Sequence, residues 1–304
     1  MAYPVGKMNG TACPLCAATS ISVQSSLTEL LKLSGSGRQI VCCTGCRFKF
    51  LHPCLSDTDV RDLYNTNSDY FDDYVGTPYL EIASEKLPYY TQVCNAIEGR
   101  LGRKGRILDI GCATGHFLSV FKNSGWDVRG IEISDWCRKY SEREFGIPSI
   151  KATVETADLP NRSFDVISLN HVLEHLSSPA ATIQRLGQWL SKDGLLCIEV
   201  PNEFNDMIFQ ISGIWGRRRL YNLPGPIWHH QLFFTPRHLR HLLNNSGFSV
   251  LETRTSSWRS PVPCHLFKCS RINKLAKLVR KSVLLAGSLF EKGELIFCLA
   301  AKRS

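Results

Sequence analysis

The stretch that most constrains this chain is residues 106 to 118, RILDIGCATGHFL. Ile107, Leu108, Asp109 and Ile110 form an apolar run of the length of a buried strand. Gly111-Cys112-Ala113-Thr114-Gly115 breaks it, and a helical pattern begins at His116. A strand, a tight glycine turn and a helix start in immediate succession make the βα corner of an α/β sheet. Glycines let the backbone approach a ligand closely, and the first amides of a helix have no partner inside it. A nucleotide-like ligand is therefore expected against Asp109, Gly111, Cys112, Ala113 and Gly115.

The next strand carries the second half of that expectation. Residues 126 to 133, WDVRGIEI, end in Glu132, 21 positions after Gly111, with Ile133 beside it. A carboxylate at the tip of the second parallel strand can accept both hydroxyls of a ribose. The turn departs from a dinucleotide fingerprint, because Ala113 and His116 stand where its last two glycines belong, and no Gly-Lys-Ser/Thr ending makes it a phosphate-binding P-loop. It resembles instead the D-x-G-x-G-x-G turn of class I S-adenosylmethionine (SAM) methyltransferases, matched at Asp109, Gly111 and Gly115, with Ala113 where that family usually has glycine. The resemblance implies a Rossmann-like, seven-stranded α/β domain with SAM as cofactor and Glu132 as the ribose ligand.

Two further stretches sharpen it. Residues 164 to 176, FDVISLNHVLEHL, look like the post-strand motif of methyltransferases similar to the ubiquinone-type O-methyltransferases and the deoxysugar C-methyltransferases. With the glycine turn and Glu132 this resemblance covers roughly residues 85 to 200. It implies that Asn170 and the loop at Thr153, Val154 and Glu155 line the cofactor, and makes His171 and His175 catalytic candidates. Residues 228 to 235, WHHQLFFT, resemble the H-x-x-aromatic-Phe-Ser/Thr element of the sugar enzymes, which places His230 toward the substrate; His229 stands where those enzymes tend to have an acid. A histidine near neutral pKa is a suitable base for a hydroxyl acceptor. His230 is the expected base, with His175 or His171 orienting the acceptor.

Near the N-terminus, Cys13, Cys16, Cys43 and Cys46 are spaced C-x2-C-x26-C-x2-C. Each C-x-x-C turn can aim two thiolates at one ion, and four close a tetrahedral, structural zinc site. Cys42 competes for the third position. A ribbon strand is expected at 38 to 41 and its partner at 47 to 50. The remaining cysteines, Cys112, Cys197 and Cys298 among them, read as reduced thiols: the total of 13 is odd and the N-terminus lacks an apolar signal core.

These features divide the chain into a zinc-ribbon-like lobe at 1–52, a linker or flap at 53–85 with Tyr64, Tyr70, Phe71, Tyr74 and Tyr79, and a methyltransferase domain at 86–304 with insertions at 203–230 and 258–290. In that domain an antiparallel hairpin of the last two strands is expected, 248 to 253 and 293 to 301. No run reaches the roughly 18 apolar residues of a membrane span, so a cytoplasmic protein is expected. The net charge of +9 gathers in Arg217, Arg218 and Arg219 and in an amphipathic segment from Arg271 to Lys281. That segment offers a peripheral membrane contact. The expected acceptor is a small molecule or sugar, a lipid-linked one included. The competing readings are an RNA methyltransferase that grips nucleic acid with its zinc lobe and arginines, and a non-catalytic SAM-fold binding module.

Overall fold

A computed structural model of the chain describes residues 12–30, 37–55, 79–207, 209–210, 230–256, 282–283 and 286–303. Tyr64, Tyr70, Phe71, Tyr74, the insertion at 211–229 with its arginines and His229, and the basic segment at 271–281 lie outside the described residues.

The described chain opens with β1 (Ile21–Val23), α1 (Ser25–Leu30), β2 (Gln39–Cys43) and β3 (Lys49–His52). Two helices follow, α2 (Tyr79–Glu85) and α3 (Leu87–Leu101); α3 starts at a proline and is closed by Gly102 in the left-handed region. Then come β4 (Arg106–Ile110), α4 (His116–Asn123), β5 (Asp127–Ile131), α5 (Asp135–Phe145), β6 (Ser149–Ile150) and β7 (Phe164–Asn170). A short 3-10 turn (Leu173–His175) leads to α6 (Pro179–Trp189) and β8 (Leu190–Pro201). The described chain ends with β9 (Leu232–Phe233), α7 (Pro236–Asn245), β10 (Phe248–Ser256) and β11 (Leu295–Lys302).

Seven strands form one sheet in the order β10-β11-β8-β7-β4-β5-β6. Strands β4 to β8 run parallel, whereas β11 lies antiparallel between β8 and β10, so the expected terminal hairpin is present. The chain leaves β4 toward β5 and β6, then crosses back to β7 on the other side. That reversal opens a crevice at the carboxyl ends of β4 and β7, where open α/β sheets take ligands. Both faces are covered. Ile107, Val128, Val166 and Leu195 pack with α3 and α4, while Leu108, Ile131, Ile167 and Leu196 pack with α6 and α7. Adjacent residues divide between the faces as a period-two strand requires.

The third strand is short and gives way to a loop, because the chain turns after Ile150: the Thr153 N–H donates to Thr156 Oγ1 at 2.9 Å. In helix α7 the Thr235 hydroxyl accepts from the His238 N–H at the start, and past the cap at Ser246 the chain turns into β10 at Gly247, with φ +86°. The ribbon strands extend further than expected, to Cys43 and His52.

The smaller sheet, β1-β2-β3-β9, joins the N-terminal lobe to a strand that follows β8: β9 pairs antiparallel with β3 through Lys49 with Phe233 and Phe50 with Leu232. Phe48, Phe50 and Phe234 are fully buried and continue the core on the α6–α7 face. Among the described residues no helix is long and apolar enough to cross a membrane.

Candidate functional site

The glycine turn after β4 is held open by backbone that side chains would obstruct. Gly111 has φ +67° and Gly115 φ +80°; a Cβ on the first would lie 2.6 Å from Val172 Cγ2, and on the second 2.2 Å from Ser141 Oγ. Ala113 adopts φ +44°, the left-handed region that costs an L-residue about 1–2 kcal/mol. One tie there is Glu132, just beyond β5: its carboxylate accepts the Ala113 N–H at 2.9 Å and the Ser134 N–H at 2.7 Å. Each oxygen retains a lone pair, the arrangement that two ribose hydroxyls require. Burial lifts the Glu132 carboxyl above its ordinary value, although those amides pull it back.

Asp109, near the end of β4, accepts from Ser168 Oγ at 2.6 Å and from Asn170 Nδ2 at 3.4 Å, which ties the ends of the paired strands β4 and β7 at the crevice. Burial, with a smaller push from the Glu132 charge, raises its carboxyl to about 7 against the hydrogen bonds that lower it. Cys112 is buried beside the turn, Val154 is buried, and Thr153 and Ile133 are half-buried. Helix α2 reaches the same turn. Tyr79 stands close to Thr114 and Glu132, and Ser84 Oγ lies 3.4 Å from His116 Nε2.

Beyond the carboxyl ends of β7 and β8 the predicted histidines come together with carboxylates that sequence reasoning did not single out. The His175 and His230 rings meet edge to face with centroids 4.8 Å apart. His230 Nδ1 lies 3.1 Å from Glu203 Oε1. His171, with φ +56°, stands between two buried acids: Nδ1 is 3.4 Å from Glu174 Oε1 and Nε2 is 3.3 Å from Glu199 Oε1. Glu199 also accepts from the Tyr89 hydroxyl and has Lys86 Nζ at 3.6 Å. Burial opposes charge on Glu199, Glu174, His171 and His230, and on these four the pairing outweighs it: Lys86, His171 and Tyr89 hold Glu199 down to about 2, His171 and His175 lower Glu174, and the acids raise His171 and His230. The missed acids had a faint signal. Glu199 interrupts an apolar strand, and Glu203 follows it just past Pro201.

The cysteines expected to bind metal converge. Cys13 and Cys46 Sγ are 3.6 Å apart, as are Cys16 and Cys43 Sγ, and all four lie within 4.8 Å of one another. Cys42 follows the other face of β2, its thiol directed at the carbonyls of Cys43 and Arg47. Every cysteine among the described residues is a free thiol.

One residue absent from sequence reasoning binds the cysteine lobe to the histidines. Gln231 is fully buried; its Oε1 accepts the Leu55 N–H at 2.6 Å and its Nε2 donates to the His175 carbonyl at 2.6 Å. Its backbone carbonyl accepts from Leu51, and its N–H donates to the Glu174 carbonyl, both at 2.8 Å.

Residues 82–253 match the family model described as a methyltransferase domain. That span is more than half of the chain, and the chain belongs to this family. It is a class I SAM-dependent methyltransferase with a Rossmann-like sheet. The ubiquinone biosynthesis O-methyltransferase of Paracidovorax citrulli is 26% identical over 166 residues, covering 52% of this chain and 69% of that protein. The carboxy-S-adenosyl-L-methionine synthase of Campylobacter hominis is 23% identical over 211 residues, covering 60% and 87%. Among solved structures, the 1,6-didemethyltoxoflavin-N1-methyltransferase of Burkholderia thailandensis, bound to its namesake and S-adenosylhomocysteine, shares the fold. Its TM-score is 0.52 at 17% identity, over 88% of this chain and 97% of that one. The residues present fit SAM: a turn that any Cβ at Gly111 or Gly115 would fill, and a buried carboxylate fixed by backbone amides beside it.

Proposed function

We propose that this methyltransferase moves a methyl group to a hydroxyl oxygen of a small molecule or sugar, with His230 taking the hydroxyl proton and His175 or His171 orienting the acceptor. The observation that carries this reading is the packing of His230 on His175 just past β7, whose last residue, Asn170, reaches Asp109 in the cofactor crevice. When bound, SAM supplies a methyl carbon on a sulfonium, open to in-line displacement. Glu132 would hold its ribose, the amides of the Gly111–Gly115 turn its polar end, and Thr153, Val154 and Ile133 the base. Tyr79 closes over the turn. What remains for the protein is alignment, exclusion of water and removal of one proton. Glu203 facing Nδ1 favours the tautomer in which Nε2 of His230 receives that proton. A carbon acid would use the same base.

We infer as well that Cys13, Cys16, Cys43 and Cys46 hold a structural zinc ion. Their 3.6 Å sulfur separations match the edge of about 3.8 Å that a tetrahedron with Zn–S bonds near 2.3 Å requires.

The acceptor is sought by comparing metabolites of a strain with and without the protein, looking for pairs that differ by one methylene. With the acceptor in hand, His230→Ala should leave the calorimetric SAM affinity intact and lower turnover about 10²-fold or more. Unchanged turnover removes His230 from the role, and no heat on mixing the native protein with SAM overturns the catalytic reading.

A further inference from the structure

Glu174 is an unusual carboxylate. It is 1% exposed, and neither of its oxygens has a hydrogen-bond partner among the described residues. A buried carboxylate is costly unless donors or a cation satisfy it, and Glu174 has instead three imidazoles around it. His175 Nε2 lies 3.9 Å from Oε1 and His171 Nδ1 3.4 Å from the same atom. Glu174, His175 and His230 each offer a donor atom, and these atoms lie within 4.8 Å of one another. Behind His230 stands Glu203, whose Oε1 is 3.1 Å from Nδ1. A carboxylate that accepts the Nδ1 proton leaves Nε2 as the ligating nitrogen, the arrangement that commonly backs a metal-bound histidine. The 3-10 turn makes Glu174 and His175 neighbours, and Gln231 fixes His230 against them through both the Glu174 and His175 carbonyls.

We propose that Glu174, His175 and His230 form a site for a divalent cation, separate from the four-cysteine site and facing the acceptor, with Glu203 orienting His230 from behind. Two imidazoles and one carboxylate suit zinc, manganese or ferrous iron and leave coordination positions open, whereas four thiolates select zinc. The site rests on the proposed function only for what occupies the open position. An acceptor hydroxyl bound there loses its proton to water as the ion stabilises the alkoxide. The oxygen lone pair then forms the bond to the methyl carbon, and the carbon–sulfur bond breaks to leave the thioether. In the loaded enzyme His230 is a ligand, and the ion replaces the proton that the metal-free histidine would take.

Manganese tests this without an activity assay, because it avoids thiolates and its free ion gives a strong EPR signal. The full-length, zinc-loaded chain, freed of excess metal, is titrated with MnCl2. The native protein should bind a single equivalent. Glu203→Gln should loosen it by about 10- to 100-fold, the range for an outer carboxylate, and Glu174→Gln should abolish it. Unchanged zinc content and SAM affinity in both variants show that they are folded. No manganese bound to the native protein, or unaltered binding by Glu174→Gln, overturns the site. The methyl-transfer reading has its own failure, the absence of heat with SAM, and the two results are separable.

Discussion

Replacing Gln231 by leucine is the sharpest probe of how the cysteine lobe and the histidine cluster depend on each other. Leucine fills nearly the same volume, so packing changes little, but both side-chain hydrogen bonds disappear. The Leu55 N–H and the His175 carbonyl, on residues that are 2% and 8% exposed, are left without those partners. Each buried group stripped of its partner costs about 1–3 kcal/mol, so the pair should cost about 2–6 kcal/mol. Gln231→Glu separates the two bonds. An ionised carboxylate still accepts from Leu55 but sets a second acceptor against the His175 carbonyl, and that variant should recover stability as pH falls and its carboxyl regains a proton to donate. Urea denaturation gives the total, and amide exchange at Leu55 and along β3 locates it. Turnover should drop in both variants while SAM affinity holds, because β9 also carries His230 into place. Removing the proposed zinc from the four cysteines should speed exchange along the same strand. A loss under about 1 kcal/mol in Gln231→Leu with unchanged protection at Leu55 would refute the reasoning.

Two other perturbations follow from the cofactor crevice. The Asp109 carboxyl, raised from 3.8 to about 7, holds a proton in the folded chain that the unfolded chain has lost between those values. Its contribution to folding stability is therefore full below about pH 4, declines as pH rises to 7 and then levels off. The cationic cofactor favours the ionised form. SAM affinity should strengthen from pH 6 to 8, with proton release in buffers of different ionisation heat; the absence of release, or the same pH profile in Asp109→Asn, would sink this. Gly130→Ala places a methyl 2.3 Å from Cys112 Sγ, so the thiol must be pushed from beside the glycine turn, at about 1–3 kcal/mol. Cys112→Ala in the same chain should recover about 1 kcal/mol or more of that loss. Additive losses in denaturation would show that the two side chains do not compete for the space.

The parts of this fold that could be read from the chain are those whose geometry is written locally. Gly111 and Gly115 announce positive φ, Glu132 announces a strand tip, and each C-x-x-C pair announces a turn that aims two thiols together. Each of these signals is local, even though the contacts they lead to span 19 positions from Ala113 to Glu132 and 33 from Cys13 to Cys46, which is why the crevice and the cysteine cluster were visible. The partners of the histidines were not. Glu203 meets His230 from 27 positions away, and Tyr89 reaches Glu199 from 110 positions away, on a helix whose sequence shows only amphipathic spacing. Such pairs form because β7 and β8 end side by side, and no local pattern encodes that adjacency. The acid expected next to His230 by resemblance is absent from position 229 and is supplied in space by Glu203.

Strand β9 explains why the N-terminal lobe is more than an appendage. A ribbon of β1, β2 and β3 would leave β3 as an open edge, and unpaired edges invite mispairing. Leu232 and Phe233 close that edge, and their burial at 1% and 2% supplies apolar area that so short a strand needs to stay in register. His238 adds a second tie, its Nε2 3.1 Å from the Cys46 carbonyl and its ring 5.1 Å from that of Phe48. The segment that caps the ribbon is therefore the one that presents His230 to His175, with Gln231 between the two tasks. Disorder in the cysteine cluster must reach the histidines through that short strand, whereas Glu132 and the glycine turn, on the far side of β4, are held by their own backbone amides and need no part of it.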